Sequence, residues 1–346
     1  MSFHQDLQNF TRDFHEASLE VEYMKKTPVL NLILEQENLK FNGGKYYYFE
    51  VDTDTTEDDV QDYGVNDQLT HGRIDTTKRV MFTRKNFQKG VTMDFEEELQ
   101  NAYDNEDGTK LHDLAYHIVK KTNEAGRLHL RKLIYGAGSD SGLQVQGLNS
   151  ALIPDTTYGG LARSQANHTN DWWQPAANTY STTTYATETP ISIDWLQRIM
   201  LPLLDLNADD GVVIVGNTLF LALKSEAQAR SMPVKDDPNG KFKYGIEEIM
   251  IDSMRIIRDP FLSANYNTAM GLTSGQAGAL ERRLYILNMP DWKLLVHPKK
   301  NFLMTGFFDQ KQIANGADFV LARLVFSGNL ICTHPNRSLY LSNVVA

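Results

Sequence analysis

The chain has 346 residues, of which 41% are hydrophobic and 23% charged, which is the composition of an ordinary folded globular protein. Its formal net charge of −10 argues against a protein that clings to nucleic acid phosphates, because that requires clustered Lys and Arg. The one cysteine, Cys332, excludes an internal disulfide framework and fits a reducing cytosolic origin.

The N-terminal segment, residues 1–44, begins without a signal-peptide pattern, and nowhere does the chain reach the ~18 apolar residues of a membrane span. The segment mixes charged and apolar residues without a clean strand pattern. Residues 19–23 and 29–34 are short apolar clusters that are expected to dock on something, such as another chain. A loosely packed N-terminal helix on the chain's own domain is the alternative.

Residues 45–92 carry opposite charges on their two halves. Residues 45–51 read KYYYFEV, a β-type run that leads into an acidic segment, whereas residues 76–89 contain five Lys or Arg and no acid. The simplest geometry is a long hairpin with an acidic outgoing limb and a basic returning limb. Because isolated two-stranded ribbons are marginally stable, we expect this hairpin to lie on another surface. A solvated charged loop is the alternative.

Two helices are predicted next, a short one at 95–103 and a longer one at 111–135. In the longer segment, apolar residues recur mostly at spacings of three and four, which indicates an amphipathic helix of ~24 residues, or ~36 Å. Gly136 and Gly138 supply its stop. A helix of this length is a structural spine rather than a helix of a small domain.

The rest of the chain is a polar segment followed by alternating helices and strands. Residues 137–190 are rich in Gly, Ser, Thr, Asn and Gln, and the character changes after Pro190. Helices are predicted at 193–204 and from an Asn217 cap to about residue 230. The predicted strands, with a turn at 327–329, are 212–215, 242–251, 254–258, 284–287, 292–296, 319–326, 330–333 and 339–341.

No catalytic, cofactor or metal site is predicted, because each template fails at a diagnostic position. Residues 212–225 look like a phosphate loop, but Leu223 stands where a second Gly must precede the Lys-Ser pair. Two acidic stretches lack the central Gly of a calcium loop, which leaves open only weak ion binding to the acidic hairpin. His112 and His117 are five residues apart, off a common helix face, and Cys332 is expected to be a buried, inert thiol.

Several short motifs follow one another in order across nearly the whole chain. They are Gly136-Ala137-Gly138, Gly147-Leu148-Asn149, the TYGGLARS segment at 157–164, Trp172-Trp173, Ile286-Leu287-Asn288 with Trp292, His297-Pro298, Gly328-Asn329-Leu330, His334-Pro335 and Leu341-Ser342-Asn343. Together with the hairpin and the long helix, this ordered set resembles the major capsid proteins of tailed bacteriophages, which have the Hong Kong 97-type fold.

The resemblance implies an α+β, Hong Kong 97-like phage capsid fold. Its expected parts are an N-terminal arm at 1–44, an extended β-hairpin (the E-loop) at 45–92, a P-domain at 93–190 with the spine helix at about 111–135, an A-domain at 191–296 and a return to the P-domain at 297–346.

The function implied by the resemblance is that of a structural shell subunit and not of an enzyme. Such a protein self-assembles as hexamers and pentamers, in the host bacterial cytoplasm, into the icosahedral head of a virion that encloses double-stranded DNA without sequence-specific binding. A separate scaffolding protein, a portal and decoration proteins are the further partners expected, without a cofactor or a membrane. The alternatives are an encapsulin-type nanocompartment shell and a cytosolic α/β enzyme with its core at 190–300.

Charged residues of the hairpin are the predicted contact sites between copies. Limbs of opposite charge can pair with complementary patches on the next copy, and symmetry repeats contacts that are individually worth about 1 kcal/mol or less. Some family members cross-link neighbours through Lys and Asn, but that set does not map onto this sequence, so non-covalent assembly is expected. The candidate contact residues are Asp58, Asp59, Asp62, Lys78, Arg79, Arg84 and Lys85.

Overall fold

The computed structural model describes most of the chain. The predicted helix at 95–103 and the acidic part of the hairpin at 54–76 lie outside the described residues. Those described are 28–36, 39–40, 43–53, 77–94, 114–136, 138–164, 170–175, 189–205, 211–230, 234–236, 247–251, 254–266, 279–305, 308–309 and 319–346.

The described residues form a mixed α+β structure. Its helices are α1 (Pro28–Glu35), α2 (Leu114–Ile134), α3 (Leu148–Leu152), α4 (Ile193–Asp205) and α5 (Asn217–Ala229). Its strands are β1 (Leu39–Lys40), β2 (Tyr46–Asp52), β3 (Thr77–Thr83), β4 (Lys85–Asp94), β5 (Thr157–Tyr158), β6 (Leu161–Ala162), β7 (Thr189–Pro190), β8 (Gly211–Val215), β9 (Val234–Asp236), β10 (Glu247–Ile251), β11 (Met254–Arg258), β12 (Leu284–Asn288), β13 (Trp292–Val296), β14 (Leu303–Met304), β15 (Phe308–Asp309), β16 (Phe319–Cys332), β17 (Leu339–Leu341) and β18 (Val344–Val345).

The first sheet is built around β16, a strand of 14 residues. One edge of β16 pairs antiparallel with β4, from Phe319 opposite Asp94 to Gly328 opposite Lys85. The other edge pairs in turn with β15, β14 and β13, and β1 extends the sheet beside β13. Helix α2 contacts both β4 and β16, so this sheet supports the longest helix among the described residues.

Helix α2 confirms the predicted spine. It spans 21 residues, and the standard rise makes it about 31 Å long. Leu130 and Ile134, one helical turn apart, are both buried, as the amphipathic pattern predicts. The helix ends where the Gly136 N–H donates to the Leu133 carbonyl over 2.9 Å, which fits the predicted glycine stop.

The second sheet, in the order β17-β12-β8-β11-β10-β9, forms a wall between two hydrophobic cores. In β8, Val212 and Ile214 belong to the core shared with α2, whereas Val213 and Val215 belong to the core covered by α4 and α5. A strand buried on both faces needs apolar residues at every position, which explains the continuous run GVVIV.

The predicted hairpin is confirmed for β2 and β3, but the prediction is wrong for the last part of its returning limb. Strands β2 and β3 pair antiparallel, from Tyr46 opposite Thr83 to Asp52 opposite Thr77. The returning limb then breaks at Arg84, and β4 joins β16 in the first sheet instead of pairing with the outgoing limb. The break moves residues 85–92, which were predicted as arm, into the core sheet, because β16 offers β4 a far longer ladder than β2 could.

Two local predictions near the C-terminal half are wrong. The turn predicted at 327–329 is absent, because these residues continue β16 and pair with β4 or β13. The hydrogen bonds to strands on both edges of β16 override the turn propensity of Ser-Gly-Asn. The N-cap of α5 is Gly216 rather than Asn217, which is the first helical residue. Leu223 lies fully buried in α5, as expected for ordinary packing of strand and helix.

Candidate functional site

The hairpin arm, defined as β2 and β3, is anchored to its own chain by one face. Val80 and Phe82 point inward from β3 and are fully buried. Phe49 of β2 stacks on Phe82 with ring centroids 5.9 Å apart and planes at 12°. The sequence predicted that this ribbon lies on another surface, and at its root that surface is the first core of the same chain.

The segment beneath the arm approaches β3 so closely that only glycine fits. Gly159 has φ +61°, and its carbonyl accepts a hydrogen bond from the Met81 N–H over 2.8 Å. A Cβ at this position would lie 2.2 Å from Cγ1 of Val80. The TYGGLARS segment at 157–164 therefore supports the arm from beneath, and we call this segment the seat of the arm.

Aromatic residues complete this seat. The Tyr158 ring meets Phe82 edge-on at 5.1 Å, and the Trp173 indole N–H donates to the Tyr158 carbonyl over 3.1 Å. The Tyr158 hydroxyl accepts from the Cys332 N–H over 2.8 Å, which ties the seat to the end of β16. Burial raises the pKa of both the Tyr158 hydroxyl and the Cys332 thiol, so both stay protonated, and Cys332 is the buried thiol that was predicted.

Arg163 holds the seat together from inside. Its guanidinium, 3% exposed, donates to the carbonyls of Ala151, Ile153 and Thr156 over 2.7, 2.8 and 3.0 Å. Burial lowers its pKa to about 10, and the side chain remains charged at neutral pH. The planar fork of donors on Arg suits a cluster of carbonyl oxygens that approach from several directions.

A second buried cation fixes the loop that follows α2. The Lys85 ammonium, 5% exposed, donates to the carbonyls of Ser139 and Asp140 over 3.2 and 2.7 Å, and also to that of Gly142. Desolvation lowers the pKa of Lys85 below its usual value. The charge of Lys85 is thus bound by its own chain, at the point where the arm turns into β4.

The structure separates the predicted contact residues into three groups. Lys85 and Lys78 bond within the chain, since the Lys78 ammonium donates to Oδ1 of Asn170 over 2.8 Å. Arg79 is exposed and lies 4.0 Å over the Tyr48 ring, and Arg84 lines a groove at the base of the arm. Asp58, Asp59 and Asp62 lie outside the described residues. Contact between copies through these residues stays a prediction.

Two residues that the sequence reasoning missed join or flank the arm. Asn329 donates to the Thr83 carbonyl over 3.0 Å and accepts from the Gln146 N–H over 2.9 Å, so it links β16, the arm and the loop after α2. Leu143, in that loop, is 90% exposed. A lone leucine in the polar stretch SDSGLQ was the available signal for an exposed contact residue.

One arrangement has the composition of a catalytic triad without its geometry. The Nδ1 atom of His334 lies 2.9 Å from Oδ1 of Asp291 and 3.1 Å from Oγ1 of Thr333. In a working triad the acid and the nucleophile contact different ring nitrogens, so that the histidine can relay a proton between them. Both contacts here use Nδ1, and the group cannot activate Thr333.

Among the described residues, no three His, Cys, Asp or Glu side chains come together as metal ligands would. None of the helices described has the length and apolar character needed to cross a lipid bilayer. A groove of about 680 Å³ lies beside the arm, lined by residues that include Trp172, Lys293 and His334.

Solved structures with a similar fold cover the chain from end to end. The capsid subunit of cyanophage A-1(L) matches with a TM-score of 0.67 and 11% identity, over 98% of this chain and 97% of that one. The holo-SrpI encapsulin complex of Synechococcus elongatus PCC 7942 matches with a TM-score of 0.57 and 11% identity, over 100% and 96%. The capsid of cyanophage Pam1 matches with a TM-score of 0.53 and 12% identity, over 97% of each chain. No protein-family model and no curated protein sequence matches the chain.

The predicted Hong Kong 97-like α+β capsid fold is therefore confirmed. The likeness covers nearly the whole of each chain compared.

Proposed function

We propose that the chain is the major capsid protein of a tailed bacteriophage, a subunit that assembles with copies of itself into an icosahedral head. The observation that carries this proposal is the end-to-end likeness to the cyanophage A-1(L) capsid subunit. The role is structural and not enzymatic, and no cofactor is required.

The arm supports this proposal because its inner face is anchored while its outer face is exposed. Its inner face packs on Gly159 and Tyr158, while Tyr48 and Arg79 stay exposed on the other side. An element held rigidly at its root loses little conformational entropy when its outer face meets a neighbour. Closed symmetry then repeats each weak contact around every hexamer and pentamer.

The finer parts of the proposal follow the family plan. With the correction at β4, we assign the N-terminal arm to 1–44, the E-loop to 45–84, the P-domain to 85–190 and 297–346, and the A-domain to 191–296. A separate scaffolding protein, a portal and decoration proteins are the further partners, and assembly takes place in the host bacterial cytoplasm. The net charge of −10 suits a lining that encloses double-stranded DNA without binding it tightly.

An encapsulin-type shell is the second candidate. It is favoured by the match to the Synechococcus elongatus encapsulin, which covers all of this chain. Both candidates predict closed protein shells, but they differ in content: DNA in a phage head and protein in a nanocompartment.

Electron microscopy of the purified full-length protein tests the proposal. We expect hexameric and pentameric capsomers or closed icosahedral particles, and we expect particles from the cells that naturally produce them to contain nuclease-protected double-stranded DNA. Particles filled with a protein cargo would favour the encapsulin reading. A stable monomer that never assembles would contradict both.

A further inference from the structure

The spine helix, the edge strand β4 and the turn before β14 meet at a cluster of aromatic rings. The His129 ring of α2 meets Phe87 of β4 edge-on at 5.1 Å, and the Phe87 ring lies 6.2 Å from that of Phe302 in the turn. A Cβ at Gly126 would lie 3.4 Å from the Phe302 ring, so the turn also approaches α2 closely. Side chains that surround this cluster on the three segments therefore share one side of the first sheet.

Four lysines surround the aromatic cluster. Lys89 is two residues beyond Phe87, so it stands on the same face of β4. Lys132 lies in the last turn of α2, and Lys299 and Lys300 lie in the turn before β14. All four are exposed, and within the described part of the chain their ammonium groups have no hydrogen-bond or ion-pair partner. We call Lys89, Lys132, Lys299 and Lys300 the lysine patch.

The segments that carry the lysine patch contain no acidic residue. Asp and Glu are absent from 85–92 in β4, from 125–134 in α2 and from 297–303 around the turn. The whole chain has a formal net charge of −10. The patch is therefore a local reversal of sign, of the clustered kind that binding to phosphates requires.

Two neighbouring groups leave the charge of the patch unchanged. Glu124, the acidic residue that precedes this part of α2, binds the Lys121 ammonium over 3.0 Å. Desolvation, and then the charge of Lys132, lowers the pKa of His129, so the His129 ring is neutral at pH 7. The positive charge at this surface thus comes from the lysines.

Exposed lysines on three separate segments suit the phosphates of a nucleic acid duplex. An ammonium at the end of a flexible side chain binds a phosphate as a point charge, and phosphate contacts do not read the base sequence. A duplex carries one negative charge for about every 1.7 Å of its axis, so lysines at several positions can each reach a phosphate. An acidic protein segment would instead need carboxylates that match the positions of these particular lysines.

We propose that the lysine patch lines the inside of the shell and contacts the phosphates of the enclosed double-stranded DNA. This inference rests on the proposed function, because DNA reaches this surface only inside a filled head. It identifies the α2 side of the first sheet as the inner side. The contact is weak in each copy and independent of base sequence, and it is repeated over every copy in the shell.

Arg323 provides a matched control on the opposite side of the same sheet. Leu324 points toward α2, since a Cβ at Gly126 would lie 2.5 Å from its Cδ2 atom. Successive side chains of a strand point to opposite faces, so Arg323 points away from α2. Arg323 is exposed and cationic like the lysines of the patch. It should face away from the DNA.

Photo-cross-linking in filled heads tests the proposal. One preparation carries Lys300→benzoylphenylalanine and the other Arg323→benzoylphenylalanine, and DNA-containing heads of each are isolated and irradiated. We expect covalent protein–DNA adducts from position 300, visible on a denaturing gel and removed by nuclease, and none from position 323. Particles should form in both cases, since neither residue is assigned to contacts between copies.

Salt dependence gives a second measurement, on the unassembled full-length subunit and a duplex of about 30 base pairs. If four phosphates are contacted, raising KCl from about 50 to about 200 mM should weaken binding about a hundredfold, as followed by fluorescence anisotropy. Lys299→Gln with Lys300→Gln removes two contacts, so the same change in salt should weaken binding only about tenfold. Arg323→Gln should leave the salt dependence as it is. An unaltered salt dependence in the lysine variant, or no binding by the unmodified subunit, would contradict the phosphate contacts.

The cross-linking has three outcomes that would overturn the proposal. Adducts with DNA from position 323, alone or in equal yield, would remove the assignment of the α2 side as the inner side. Adducts that join position 300 to protein would assign the patch to an acidic protein segment. Filled heads without any adduct at position 300 would refute the DNA contact while the shell function stands, whereas heads of the unmodified protein that contain no DNA would contradict the phage capsid function itself.

Discussion

At the scale of single residues, buried polar side chains join segments that are distant in sequence. Arg163 and Lys85 donate to clusters of backbone carbonyls, and Asn329 bonds to both the arm and the loop after α2. Carbonyls that leave water unpaired cost about 1–3 kcal/mol each, so a buried cation that binds several of them stabilises irregular segments that have no regular ladder. These residues hold the arm's root in place.

Gly159 and Gly160 provide a matched pair for testing the seat. Both have positive φ, +61° and +79°, but a Cβ at Gly159 would lie 2.2 Å from Val80 Cγ1, whereas at Gly160 the nearest atom is 3.8 Å away. We expect Gly160→Ala to cost only the backbone strain of about 1–2 kcal/mol. Gly159→Ala should lower the free energy of unfolding by at least about 1 kcal/mol more, as measured by urea denaturation.

A double mutant tests whether the contact with Val80 is what makes Gly159→Ala destabilising. Val80→Ala removes the atom that a Cβ at residue 159 would strike, so adding it to Gly159→Ala should be less destabilising than the sum of the two single changes. If the two changes in the free energy of unfolding were strictly additive, the close approach of Val80 would not be the reason that residue 159 must be glycine.

The Asp291–His334 pair predicts a pH effect on stability. Burial raises the pKa of Asp291, but hydrogen bonds from His334 and Asn288 outweigh it and hold the pKa below its usual value. A carboxyl with a depressed folded pKa contributes stability above its unfolded pKa of about 3.9 and loses it as the pH falls through the folded value. We expect His334→Ala to cost about 0.5–1 kcal/mol at pH 7 and less at pH 3 in urea denaturation of the unassembled subunit.

His297→Ala is the control for that measurement. The His297 ring accepts from the Lys299 N–H in an exposed turn, so its loss should not change the acid dependence. If the effect of His334→Ala were the same at pH 3 and pH 7, the pair would not carry the pH dependence.

At the scale of elements, the arm predicts an assembly defect that leaves the fold intact. Lys78 and Lys85 bond within the chain, so only Arg79 and Arg84 suit charge reversal. Arg79→Glu with Arg84→Glu should raise the protein concentration needed for assembly about tenfold or more, because each copy loses contacts worth about 1.4 kcal/mol in total. The readouts are light scattering for particles and urea denaturation for the subunit, whose stability should change by about 0.5 kcal/mol or less.

Lys299→Glu with Lys300→Glu gives the matched control, since both lysines are exposed in a turn that is not part of the arm. Particle formation should be unaffected by this reversal. If the Arg79 and Arg84 reversal also left assembly unchanged, charge on the arm would have no role in joining copies.

The elements themselves were largely predictable. Periodicity gave α2, α4 and α5 and the strands β8, β11, β12, β13 and β17 within about one to three residues, because their apolar patterns are long or continuous. The predicted turn at 327–329 was wrong since Ser327, Gly328 and Asn329 occupy a strand paired on both edges. The split of the arm at Arg84 depends on the partner of β4, which lies more than 200 residues away in the chain.

At the scale of the whole molecule, the two cores share one wall. Alternate residues of β8 and β12 face opposite cores, so neither core can be built without the second sheet. The Tyr135 hydroxyl donates to the carboxylate of Asp259 at the end of β11, and the Tyr285 hydroxyl of β12 donates to Asn149 over 3.0 Å, which fastens the spine region to this wall.

The sequence by itself determined the composition class, the long helix, most strands, the lack of a recognisable catalytic motif, and an ordered set of motifs that named the fold. Periodicity and local spacing carry that information because they depend on near neighbours. Only the tertiary structure decided that TYGGLARS seats the arm, that Lys85 is bound inside the chain, and that Leu143 is exposed. Those features depend on which distant segments meet, and a single sequence does not encode such partners in any local pattern.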